Sequence, residues 1–186
     1  MLGLIAVALV SGAIAGSSPP ERTTSVTVEE ARQSLLGRWQ GKLEYRDYQS
    51  SGWSGLPVEV NIKDGGDGVT LIRTADYDDG PTTGNVRITT VSMLAANGLE
   101  ESAATFRKGR PVEVSKAKLS VGAASVSKND WTLIETSDGT DDDRPATLRL
   151  TTTRKGSQIV TLKEVDFRDD AKTEWLVRNR TTLTAK

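Results

Sequence analysis

Gly37-Arg38-Trp39-Gln40-Gly41-Lys42-Leu43-Glu44-Tyr45-Arg46 is the stretch that decides the fold. Trp39, Gly41, Leu43 and Tyr45 are apolar, aromatic or small, while Gln40, Lys42, Glu44 and Arg46 occupy the alternate positions. A period of two is that of a strand with one face on a core and the other in water. Leu56, Val58, Val60 and Ile62 repeat it against Glu59, Asn61 and Lys63, and Asp64-Gly65-Gly66-Asp67-Gly68 supplies the turn into a third run over 69–74. Further runs follow at 85–94, 99–106, 112–121, 130–136, 146–153, 158–167 and 173–183, with turn-like residues such as Lys155-Gly156-Ser157 between neighbours. In 112–121 the apolar phase slips between Val112/Val114 and Ala117/Leu119/Val121, which predicts a bulge or a displaced boundary.

Ten such runs with no helices between them predict an all-β, antiparallel up-and-down sheet. A sheet this long must bury its apolar face, and closure into a barrel of about 8–10 strands does so while removing exposed edges. A two-sheet sandwich is the competing architecture.

Upstream of the strands, Thr27-Val28-Glu29-Glu30 has the spacing of a capping box and predicts a short helix over 28–36, stopped at Gly37. No second helix is expected. Residues 2–14 are uncharged and almost wholly apolar, and Ala13-Ile14-Ala15 fits the small-x-small rule for cleavage. They are read as a signal peptide over 1–15, with a disordered linker at 16–26 and one domain over 27–186; a buried helix of the fold is the alternative. The expectation is an exported protein, periplasmic or extracellular. A run this short predicts no stable membrane insertion once removed, since a span needs about 20 residues.

The chain has 186 residues, a formal net charge of -1, and neither cysteine nor histidine. Ser-His-Asp and Cys-His nucleophiles, the usual zinc sites and His- or Cys-ligated haem therefore lack their essential atoms. No cofactor is expected. Lysine and arginine are not gathered into a stripe, which argues against nucleic acid as the main partner.

A short helix leading into Gly37-Arg38-Trp39, then consecutive hairpins and an arginine-bearing last strand, resembles the lipocalin-like (calycin-type) barrels. The resemblance implies that Trp39, beside Gly37, packs at the closed end of the barrel beneath an arginine of the last strand, either Arg178 or Arg180. It also implies a lumen that holds a small, apolar molecule.

Four aromatics are the candidate ligand contacts: Tyr45, Trp131 and Trp175 on strands, and Trp53 in a polar loop between Gly52 and Ser54. For the strand aromatics the competing reading is core filling. Acidic turns at Asp64–Asp67, Asp76–Asp79 and Asp138–Asp143 match no calcium-loop spacing and read as solvated turns, so no metal site is expected. Glu135 and Glu164 are the candidates for an inward carboxylate pair of the kind a hydrolase uses, with salt bridges to Arg149 or Lys163 as the alternative. The leading expectation is a non-enzymatic barrel binding a small hydrophobic ligand. The alternatives are a filled barrel acting as an envelope-associated interaction module and a carboxylate-based hydrolase.

Overall fold

The structure, a computed structural model, describes residues 26–47 and 52–186. The expected leader at 1–15 lies outside them, as does all of the expected linker except Val26, which is buried in the domain core. A short helix α1 (Val28–Gln33) precedes strands β1 (Gly37–Arg46), β2 (Trp53–Asp64) and β3 (Thr70–Asp78). A four-residue helix α2 (Gly80–Thr83), not expected from the sequence, leads into β4 (Asn85–Leu94), β5 (Glu100–Arg107) and β6 (Glu113–Val121). The strands β7 (Asp130–Asp141), β8 (Arg144–Lys155), β9 (Gln158–Phe167) and β10 (Leu176–Ala185) complete the chain.

All neighbours are antiparallel and consecutive in sequence, and β10 pairs back onto β1 from Trp39↔Ala185 to Tyr45↔Asn179. The result is a closed ten-stranded barrel, so the sandwich alternative does not apply. Closure depends on Gly41: a Cβ there would lie 1.8 Å from the carbonyl oxygen of Thr182 on β10. Of the two readings of 112–121, the bulge is absent and the boundary is displaced by one residue. β6 begins at Glu113 and pairs with β5 in unbroken register, Val112 and Val114 lie exposed, and the register shift sits between Val177 and Asn179 of β10.

The capping box forms as the spacing requires: the Glu30 N–H donates to Thr27 Oγ1 at 3.1 Å and the Thr27 N–H to Glu30 Oε2 at 2.8 Å. Helix α1 ends at Gln33, earlier than 28–36 predicts, because Ser34 caps it and its hydroxyl turns back to the Ala31 carbonyl. The following turn stops one end of the barrel. Trp131 donates its indole N–H to Ser34 Oγ (2.8 Å) and the Lys128 carbonyl (3.0 Å), and Trp39 donates its own to the Leu35 carbonyl (2.8 Å). Arg154 of β8 donates to the Ser34 carbonyl and lies 5.3 Å from the Trp39 ring centroid. The cation over Trp39 is therefore Arg154, not Arg178 or Arg180. Register explains why: Trp39 faces Ala185, while Arg180 sits opposite Glu44, five residues along β1 and on the outer face.

Arg32 locks the helix to the wall. Its guanidinium donates to the Val69 carbonyl at 3.0 Å and to Ser92 Oγ at 3.0 Å, and pairs with Glu101 at 2.7 Å. Two apolar clusters meet at this end, one around Trp39, Val58, Val60, Ile62 and Leu71, the other around Ala31, Leu94, Leu119, Trp131 and Leu133.

Truncating the Trp39 side chain removes a buried indole and costs about 3–5 kcal/mol. Trp39→Ala should lower the thermal midpoint by roughly 6–20 °C, at about 2–4 °C per kcal/mol for a chain of this size; an unchanged midpoint in a calorimetric scan would contradict the plug. Gly41→Ala should destabilise by at least about 2 kcal/mol in urea titration, because the β1–β10 backbones must separate.

Candidate functional site

Residues directly opposite in an antiparallel ladder share a face, so the buried Trp39 fixes which set points into the barrel. Following the registers around the ring puts Leu43, Leu56, Ile88, Leu148 and Leu150 inside, with Thr90, Thr105, Thr152, Thr161 and Thr181. Near α1 the inward side chains are buried; toward the other end Ala146, Val165 and Phe167 form a third buried cluster on the β8–β9 side, while Leu43, Leu56, Ile88, Leu150 and Thr181 keep accessible surface and Tyr45 is exposed. The barrel is a cup, stoppered at the α1 end and, at the other, partly filled beside β8 and β9 and accessible beside β1, β2 and β4.

The cup wall is polar in patches. Thr90 and Thr105 share a hydroxyl hydrogen bond at 3.1 Å, and Thr152 and Thr161 share another at 3.0 Å. Lys163 of β9 reaches Asp141 at 3.1 Å, and Arg178 reaches the same carboxylate at 2.5 Å. At the rim, burial pushes the Tyr45 phenol above its ordinary range; Tyr77 and Asp79 add to the shift and Arg107 opposes it.

Just above the stopper lies a charged tier. Glu101 is neutralised directly by Arg32. Glu135 of β7 and Arg73 of β3 also face inward, and neither has a hydrogen bond or ion pair among the described residues. Burial raises the Glu135 carboxyl to about 7; Glu101 pushes the same way, while Arg32 and Arg73 pull it down. Near neutrality Glu135 therefore exchanges a proton inside the cup.

The four aromatics are not brought together. Tyr45 stands at the rim, beside a groove lined by Ser54, Leu56 and Asp78. Trp131 is buried in the stopper. Trp53 opens β2 on the outer face, 4.7 Å beneath the Arg180 guanidinium, which also binds Glu44 at 2.8 Å. Trp175 precedes β10, with Arg149 stacked on its ring at 3.9 Å. The expected Glu135–Glu164 pair is split by parity: Glu164 points outward and pairs with Arg149 at 2.9 Å. The acidic turns engage their own chain. Asp67 accepts from the Val69 and Thr70 N–H groups, the Asp78 carboxylate accepts from Gly80 N–H, and Asp141 and Asp142 pair with Arg178.

Sequence reading missed Arg73 and Glu101, and Arg32 and Arg154 beneath them. The parity of Arg73 with Leu71 and of Glu101 with Ala103 was the available signal.

A carboxyl raised from 4.5 to about 7 takes up a proton on folding between those values. Glu135 thus contributes no penalty below about 4.5, a penalty that grows as pH rises from 4.5 to about 7, and a constant one above that, on the order of 3 kcal/mol. Glu135→Gln should leave stability near pH 4 unchanged and raise it above pH 7; urea titrations at both pH values giving the same difference would refute this.

No family model matches the chain, and no curated protein matches it. Among solved structures the chain is similar to Rv2717c from M. tuberculosis, with a TM-score of 0.57 and 12% identity over 87% of this chain and 99% of that one. A protein of unknown function from the DUF3598 family of Nostoc punctiforme PCC 73102 matches over 87% of this chain and 100% of its own at 10% identity, with a TM-score of 0.25. At these identities the first likeness is one of fold.

Proposed function

We propose that this chain is a lipocalin-like barrel that holds a small molecule in its cup. The observation that supports this reading is the unstoppered end, with inward side chains of the middle tiers accessible and two charged groups, Arg73 and Glu135, facing the interior without a direct partner. A wall of Leu43, Leu56, Ile88, Leu148 and Leu150 suits an apolar body, and the threonine hydroxyls with the charged tier suit a polar end. The ligand is thus amphipathic, where the sequence reading expects a small, apolar molecule.

One observation favours a second reading, a carboxylate-based hydrolase. Glu135 and Glu101 lie within electrostatic reach, one protonatable near neutrality and the other ion-paired, which is the division an acid and a base require. The pair differs from the one expected, since Glu101 takes the place of Glu164.

Native mass spectrometry of the chain purified from its own host should show added mass that Leu150→Arg, filling the cup, abolishes while the far-ultraviolet spectrum is retained. The bare sequence mass from both proteins would remove the carrier reading. Turnover of a captured ester or glycoside that Glu135→Gln stops would favour the hydrolase.

A further inference from the structure

Hydrogen bonding around the barrel is uneven. β7 stays paired with β8 to its end at Asp141↔Arg144, but β6 and β7 pair only from Lys118↔Thr136 to Val121↔Leu133. Residues 113–117 of β6 and 137–141 of β7 therefore form two edges without a ladder between them, although β6 keeps β5 on its other side as far as Thr105↔Glu113.

Backbone groups alternate sides along a strand. The Leu119 N–H donates to the Leu99 carbonyl, toward β5, and the Gly122 N–H donates to the Thr132 carbonyl, toward β7. By the same alternation Val114 and Lys116 direct their N–H and C=O groups toward β7, where no ladder meets them among the described residues.

The side chains around this edge are unlike the rest of the outer wall. Val114 is 76% exposed, Val112 53% and Phe106 45%, and Ala104 lies directly across from Val114. Lys116 and Lys118 stand on the outer face of β6, with Glu100 directly opposite Lys118, and Lys108 and Arg110 lie in the β5–β6 turn, in a chain whose net charge is -1; Arg107 and Glu113 face the lumen. None of these four outer bases has an ion pair among the described residues.

We propose that the β6 edge accepts an extended, acidic polypeptide segment as an added strand. Free main-chain groups supply the pairing, Val112, Val114 and Phe106 supply apolar contact, and the lysines and Arg110 select acidic side chains. A second copy of this chain would bring a like-charged edge against it, which costs energy and guards against self-pairing. An anionic lipid surface would meet the bases and the apolar residues but leave the Val114 and Lys116 backbone unsatisfied.

The test uses the full chain and a fluorescein-labelled peptide of alternating glutamate and valine, with a lysine–valine peptide as control. Fluorescence polarisation should show saturable binding of the acidic peptide alone, weakened about tenfold or more by high salt. Amide hydrogen exchange over 113–117 should slow on binding. Val114→Pro should abolish binding with an unchanged thermal midpoint, since proline is tolerated where the N–H faces solvent; should that variant misfold, Lys116→Glu with Lys118→Glu carries the same expectation. No saturable binding, or equal binding of the two peptides or of the folded Val114→Pro variant, overturns the proposal. So does co-sedimentation with phosphatidylglycerol vesicles in place of peptide binding, which assigns the patch to lipid, or a concentration-dependent dimer lost in Val114→Pro, which assigns it to a second copy. These readouts are independent of whether the cup holds a ligand.

Discussion

A barrel of about eight strands is just narrow enough for its own side chains to fill, and a ten-stranded ring is wider. Inward residues that meet across an eight-stranded ring leave space here, so one end must be closed by chain that does not belong to the wall. The turn after α1 meets that need. Ser34 and Leu35 accept from Trp131, Arg154 and Trp39, three side chains on three strands, so two adjacent residues tie β7, β8 and β1 to a single point. Losing the Leu35 acceptor leaves the buried Trp39 indole N–H unmatched, and because the three bonds converge on two adjacent residues the stopper is a cooperative unit rather than a loose lid.

Closure in this way has an electrostatic cost. Arg32 enters with the helix and needs a carboxylate inside the wall, and Glu101 supplies it. Burial raises the carboxyl of Glu135 first of all, and of the sealing pair Glu101 adds to the rise while Arg32 opposes it, so the proton-exchanging group in the cup sits within the field of the ion pair that seals the end.

Much of the architecture was legible in the sequence because burial in this fold alternates residue by residue. The runs at 85–94 and 158–167 match β4 and β9 to the residue, and the capping spacing at Thr27 and Glu30 located the helix. Less legible was everything that depends on which strands meet across the lumen. The partner of Trp39 comes from β8 because Arg154 projects inward at the tier of the stopper, a matter of strand tilt and register that no local pattern encodes. Glu164 and Glu135 lie on different strands, and their relative parity follows only from the β7–β8–β9 registers. The apparent phase slip at Val112 and Val114 was a true signal read wrongly: those valines are apolar on the outside, beside a stretch where the β6–β7 ladder parts.

The pairing of β1 with β10 places both extremities of the described domain at one pole. Val26 donates to the Ser125 carbonyl beside the stopper, and Lys186 donates its backbone N–H to the Arg38 carbonyl at the start of β1. Anything fused or immobilised through either extremity is therefore attached at the base, and the opening of the vessel points away from the support. The same proximity makes circular permutation feasible with a short join across the base, moving new ends to a hairpin of choice without disturbing the mouth.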